Sequence, residues 1–303
     1  MEIRSLRAFV EVVRQGGFTA AAKIVFATQP TISKAVRQLE EELGLRLLDR
    51  TNLGAQLTEA GHIVFKRALN ILEERKDLLL ELDDLRGLKR GLLRLGIPPF
   101  GGSTLFVPIF TEFRSQFPHV DMQLAEYGSK KLCELVLAGE LDFGASLLPV
   151  SDEFETHLLL DEPLVTLVPM NHPKAGAKAI RLSDLTNDRF VLYERGFALN
   201  DMILGACQRH NFVPTEVTRS GQLDFIVELV ASKLGVAFLP LTLANRRPHP
   251  QVHQAVLDEP NMNWAMALVW RKGAYVSYAG QAWLNLARKI YPSDAPSSIA
   301  KPH

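Results

Sequence analysis

The 303-residue sequence predicts an α+β multidomain chain: an all-α winged helix-turn-helix head, a long linker helix, and a two-lobed α/β domain. Three observations predict it. Two capped amphipathic helical segments stand close together between residues 18 and 44. An apolar-striped helical pattern then runs from residue 58 to about residue 86. From about residue 91 onward, short apolar runs alternate with helical segments, the signature of α/β layers.

In the head, Leu6, Phe9, Val10 and Val13 form an apolar stripe ended by Gly16-Gly17, supplying a helix to bury the inner faces of the next two. Thr19 is placed to cap the second helix, which carries Ala20, Ala21, Ala22 and Ile24. Thr28 is placed to cap the third, with Pro30 in its first turn, where a missing N–H costs nothing. On that third helix Ile32, Val36, Leu39 and Leu43 recur at i, i+4, i+7 and i+11 and share one face, while Pro30, Ser33, Lys34 and Arg37 point the opposite way. A short helix presenting hydroxyl, ammonium and guanidinium groups from its first turns suits the major groove of DNA. Glu40, Glu41 and Glu42 lie beyond those turns and read as a solvated end. Residues 47–58 read as two short strands around an Asn/Gly turn, a wing with Arg50, Thr51 and Asn52 near phosphates.

Charge does not decide the function. The chain balances 34 basic against 34 acidic residues, and its first sixty residues carry only a slight basic excess, so tight DNA binding should need two heads acting together.

Along the linker, Ile63, Leu69, Leu72, Leu79 and Leu82 are expected on one side, with Lys66, Arg67, Glu73, Glu74, Arg75, Lys76 and Asp77 largely elsewhere. At roughly 1.5 Å per residue such a helix is about 40 Å long. An apolar stripe with no domain beneath it needs a partner chain, so a homodimer through this helix is expected, the alternative being packing on the chain's own C-terminal domain, with Gly87 and Gly91 around Lys89-Arg90 as the hinge.

The C-terminal two-thirds should place strands near 92–97, 122–126, 141–145, 164–168, 190–193, 236–239 and 265–270, with helices near 104–116, 130–138, 199–209, 223–232 and 275–290. Mainly parallel sheets in two halves are expected, with a ligand crevice at the strand ends. Two loops stand out as crevice walls: Pro98 to Thr104, with Gly102, Ser103 and Thr104 opening a helix, and Tyr127-Gly128-Ser129. Glycine and hydroxyls at a helix start can cradle an anion, or the hydroxyls can simply cap the helix. On the other half Glu194-Arg195-Gly196-Phe197 and Gly221-Gln222 occupy equivalent turns; Arg195 can pair with a ligand carboxylate or stand as a surface arginine.

Other classes fit less well. The alternative of a solute-binding protein without a DNA role shares the two-lobed domain but should carry a secretory signal, and Met1 to Val10 has no apolar core of one; no run approaches a membrane span. Ser103, His119 and Asp121 make a triad only on paper, without a nucleophile elbow, so no enzyme is expected. His249 and His253 have i, i+4 spacing in a Pro-rich segment without a third ligand, and Cys133 and Cys207 are isolated; no metal or cofactor is expected.

The run FTAAAKIVFATQPTISKAVRQLEEELGLRLLDRT, the following LTEAG, and the later GELDFGAS and GVAFLP together resemble the LysR-type transcriptional regulators over essentially the full length. The resemblance implies a winged helix-turn-helix at 1–58, a dimerising linker helix and hinge at 59–90, a periplasmic-binding-protein-like effector domain at 91–291 and a loose tail at 292–303. The effector domain would have one lobe of about 91–163 with 268–291, and a second of about 164–267. It further implies a cytoplasmic bacterial protein, a homotetramer on promoter DNA, contact with RNA polymerase, and a small-molecule effector. By position, Gln29, Pro30, Ser33, Lys34 and Arg37 match the recognition helix, and Arg50 and Thr51 the wing. Pro99, Gly102, Ser103, Thr104, Gly128, Ser129, Leu148, Arg195 and Phe197 match the effector pocket. IPPFGGSTLFVP and EYGSKKLCELVLAGELDFGASLLPV are similar to a subgroup associated with small organic acids. One departure is Lys233, where the family more often has glycine.

Overall fold

The computed structural model describes residues 1–51, 54–85 and 91–292. It divides into two units, Met1–Leu88 and Lys89–His303. The first is built from α1 (Ile3–Arg14), α2 (Phe18–Ile24), α3 (Gln29–Leu43), the antiparallel pair β1 (Leu48–Thr51) and β2 (Gly54–Leu57), and α4 (Glu59–Leu85). Leu6, Phe9 and Val10 of α1, Ala21 and Ala22 of α2, and Ile32, Val36 and Leu39 of α3 meet in one core. Each fully buried leucine or phenylalanine side chain of this kind contributes about 1.5–3 kcal/mol. Leu43 stays 38% exposed, because the core ends one turn before α3 does.

The linker helix is not separate from the head. Ala60, Val64, Phe65, Ala68, Leu69 and Leu72 of α4 pack onto the head core, and Phe65 meets Phe9 edge-on with ring centroids 6.3 Å apart. A boundary at residue 58 therefore cuts through one hydrophobic cluster. Ile63 does not belong to the stripe and is 67% exposed: six residues before Leu69, it lies about 240° around the helix. Farther along, Leu78, Leu79 and Leu82 are exposed within the chain, because the helix outruns the head that buries its first half. Arg86 and the expected hinge at 87–90 lie outside the described residues, as do Asn52, Leu53 and the tail from residue 293.

The second unit follows the order β3 (Gly91–Ile97), α5 (Gly102–Gln116), β4 (Val120–Glu126), α6 (Ser129–Leu137), β5 (Gly144–Leu147), β6 (Phe154–Pro169), β7 (Ala179–Arg181) and a short 3-10 turn (Leu182–Leu185). It continues through β8 (Arg189–Tyr193), α7 (Ala198–Arg209), β9 (Thr215–Ser220), α8 (Leu223–Ala231), β10 (Ala237–Pro240), α9 (Leu241–Asn245), β11 (Val252–Asp258), β12 (Asn263–Arg271) and α10 (Tyr278–Ile290).

The sheets are mixed rather than mainly parallel. Parallel pairing holds for β3 with β4, β8 with β9 and β11 with β7, but β6 pairs antiparallel with β12, β10 and β11, and β12 antiparallel with β5. The cause is the 16-residue strand β6, which serves both lobes: residues up to Pro163 face β12, and those from Leu164 face β10 and β11. Single bridges, Leu95 with Phe143 and Phe190 with Val236, join the parallel pairs to this spine. All of β12 from Asn263 pairs with β6 up to Pro163, and Met266 to Val269 also pair with β5. At the first lobe's far side Trp283 of α10 is fully buried against Phe110 and Phe113 of α5.

Lys233 follows the end of α8 with φ 63°, in the left-handed region. This is where a helix ordinarily ends on glycine, so the departure from the family pattern is conformational rather than chemical. Lys233→Gly is expected to stabilise the protein by about 0.5–1 kcal/mol, below the roughly 1–2 kcal/mol cost of a left-handed residue because glycine also loosens the unfolded chain. A rise in the urea midpoint at constant slope would show it.

Candidate nucleic-acid interface and interlobe site

The recognition surface is set by α3. The Thr28 hydroxyl accepts a hydrogen bond from the Thr31 N–H at 3.4 Å, capping the helix, and Pro30 sits in the first turn as expected. Helix α2 differs: Gly17 occupies its N-cap position without a side-chain cap, and Thr19 lies inside the first turn. Gln29, Pro30, Lys34 and Arg37 are exposed and Ser33 half-buried, and these five line one open depression with Gln38 and Glu41. Arg37 also borders a second depression with Glu40, Arg46 and Asp49 that leads to the root of the wing. Arg50 and Thr51 fall on β1; their side chains are outside the described residues.

The wing is anchored by residues whose part sequence reading missed. Glu40 is not a solvated end: its Oε1 accepts the N–H groups of Leu47 at 2.8 Å and Leu48 at 3.2 Å, joining α3 to β1. At the other root, the Thr58 hydroxyl donates to the Arg46 carbonyl at 2.7 Å and accepts from Gly61 N–H at 2.9 Å. A Cβ at Gly61 would stand 2.1 Å from the Leu47 carbonyl oxygen, so α4 can lie against the wing root only with glycine there.

In the second unit, loops from the two lobes meet. Phe100 meets Tyr193 edge-on and Phe197 at a 35° tilt, at centroid distances of 4.5 and 4.6 Å, and is buried. A Cβ on Gly128 would lie 2.5 Å from the Gly196 carbonyl oxygen, so the turn before α6 rests directly on the turn before α7. Lys130 reaches Asp201 across the same gap at 2.8 Å, and Arg246 donates to the Thr104 hydroxyl at 2.9 Å. Helix α5 is capped at Gly101 without a side-chain hydrogen bond, so neither Ser103 nor Thr104 is spent as its N-cap.

Of the expected effector residues, Gly128, Phe197 and Thr104 therefore take part in interlobe contacts. Gly102 and Ser129 are buried, Leu148 is half-buried, and Pro99, Ser103 and Arg195 are exposed. Phe100 lies in the Pro98 to Thr104 loop expected as a crevice wall, whereas nothing in the local pattern marks Tyr193, Asp201 and Arg246. Burial drives the Tyr193 phenol far above its usual range, and its hydroxyl donates to the Phe238 carbonyl. At the crossover, buried Glu162 accepts from Thr242 N–H at 3.0 Å, and desolvation raises its carboxyl above the ordinary value. His249 and His253 do not face one site: His249 lies 3.6 Å from Glu228, while His253 donates to the Ala177 carbonyl at 2.7 Å.

Two domain families match the chain: the bacterial regulatory helix-turn-helix protein, lysR family, over residues 3–62, and the LysR substrate binding domain over residues 86–291. The chain belongs to the LysR family of transcriptional regulators. Among its LysR relatives, the HTH-type transcriptional regulator YwbI of Bacillus subtilis (strain 168) is 36% identical over 94% of this chain and 95% of its own length. A hydrogen peroxide-inducible genes activator of Pectobacterium carotovorum subsp. carotovorum is 30% identical over 90% of this chain and 91% of its own. A solved full-length OxyR variant from Pseudomonas aeruginosa superposes with a TM-score of 0.72 at 26% identity, covering 97% of this chain and 96% of that one. Such LysR proteins are regulators rather than enzymes, with a DNA-binding head and an effector-binding domain. Among the described residues, no helix is long and apolar enough to cross a membrane.

Proposed function

We propose that this LysR regulator reads promoter DNA through Gln29, Pro30, Ser33, Lys34 and Arg37 in the major groove, with Arg50 and Thr51 of the wing on the backbone. Its effector is a small organic acid held between the lobes by Pro99, Gly102, Ser103, Thr104, Gly128, Ser129, Leu148, Arg195 and Phe197. The observation that carries the acid is the bond from Arg246 to Thr104. A guanidinium of one lobe there meets a hydroxyl in the first turn of a helix of the other, and a carboxylate inserted between them satisfies both. The apolar end of α4, Leu78, Leu79 and Leu82, supports a homodimer, and two dimers make the homotetramer that the family resemblance implies. Cytoplasmic residence and contact with RNA polymerase complete the reading, with the head ending near residue 58 as a DNA-contacting module and the linker and effector domains following.

Thiol sensing of peroxide is not favoured. Cys133 lies on α6 and Cys207 on α7, and burial raises both thiols, that of Cys207 to about 11. The thiolate is the reactive form, and both sites oppose it.

The test is a gel shift on DNA upstream of the protein's own gene, at fixed salt, with a panel of small carboxylic acids. One acid should alter the complex, and Ser103→Ala with Thr104→Ala should weaken that response about tenfold while binding without acid is unchanged. An unaltered response in the double variant removes the pocket assignment; no acid effect in the parent removes the effector class.

A further inference from the structure

Phe26 sits in the turn between α2 and α3, and its side chain is 98% exposed. Its backbone is left-handed, with φ 53°, at the position after the α2 C-cap where glycine or asparagine is the ordinary residue. The ring thus carries a backbone cost and buries nothing in its own chain. Ile24, also exposed at 47%, extends the apolar spot along the same turn. Residues that break a local rule without a packing return mark places where function is served.

The position says which function. Two residues on, Thr28 begins the recognition helix, whose N-terminal residues Gln29 and Pro30 are exposed beside it. In a helix-turn-helix the first helix crosses the DNA backbone and the second enters the groove by its N-terminal end, so the turn between them runs along the groove wall. A phenyl ring can neither pair with a phosphate nor form a hydrogen bond with a base edge. The apolar group that the major groove offers is the thymine C5-methyl.

We infer that Phe26 is a specificity-determining residue that packs on a thymine methyl in each half-site. This rests on the DNA-binding reading above. The test begins with duplexes selected from random-sequence DNA by the full-length protein, in which each thymine is then replaced singly by deoxyuridine. The parent protein should lose about fourfold in affinity at one thymine per half-site, the worth of one buried methyl group. Phe26→Asn, which suits the left-handed backbone, should bind both duplexes equally while melting no lower than the parent.

If no thymine methyl matters to the parent, or if it matters equally to Phe26→Asn, the inference fails. A change in the oligomeric mass of Phe26→Asn by light scattering overturns it too, since the ring would then be covered by a second copy. Failure of the parent to select any sequence is a different result, because it removes the DNA-binding reading itself.

Discussion

Replacing Arg37 with alanine is expected to cut discrimination between a selected operator and unrelated DNA by about 1–3 kcal/mol, roughly 5- to 150-fold, the worth of one bidentate base contact. Arg37 is exposed on the face of α3 away from Ile32, Val36 and Leu39, and it lies where the depression along α3 meets the one leading to the wing. A guanidinium offers paired donors to the O6 and N7 of a guanine, which an ammonium does not, so Arg37→Lys should recover little. Because the side chain is exposed, neither substitution should lower the melting temperature by more than about 2 °C. Gel-shift titrations on both DNAs over a range of salt separate the outcomes. Loss confined to the selected site marks a base contact. Equal loss on both, with a salt slope shallower by about one ion, makes Arg37 a phosphate contact.

The second large effect is expected from Gly128→Ala. The backbone of Gly128, at φ −62° and ψ 152°, accepts any residue, so the only obstacle is the neighbour. That neighbour is backbone, the Gly196 carbonyl oxygen, 2.5 Å from where the new methyl would stand, and a carbonyl within a turn cannot rotate out of the way as a side chain can. The lobes must separate by about an ångström to restore ordinary contact, which strains Lys130 with Asp201 and the contact of Phe100 with Phe197. Overpacking of this kind costs about 1–3 kcal/mol. Amide exchange should accelerate about 10- to 100-fold in residues 126–131 and 194–201 of the full-length variant, and its response to any acid found by the panel should shift by at least tenfold. A ligand can act only by favouring one lobe arrangement over another, and the methyl disfavours the one in which Gly128 rests on Gly196. Unchanged exchange in both loops would show that the contact yields without moving the lobes.

Much of the molecule was legible in its sequence because the signals were local. The caps and periodicity of α3, the wing strands and the helices of the second unit rest on contacts a few residues apart, and apolar runs such as 164–168 stand out where a strand is buried on both faces. The first half of β6 was not legible: among residues 154–161 only His157 and Leu159 are buried, and Glu155, Thr156 and Asp161 interrupt the apolar pattern there. Strands β7, β9 and β11 were missed for the related reason that they are short or half-exposed. Ile63 falls off the stripe because a six-residue step does not return a helix to the same face.

The sequence by itself determined the helix-turn-helix and the residues presented from its recognition helix, since each is a consequence of spacing along one segment, and its motifs along the full length carried the resemblance to the family. Only the tertiary structure decided that α4 belongs in part to the head core, that β6 serves both lobes, and that Glu40 holds the wing. It alone placed Gly128 against Gly196 and Arg246 beside Thr104. These are meetings between residues up to 142 positions apart, created by packing and pairing that no local pattern encodes.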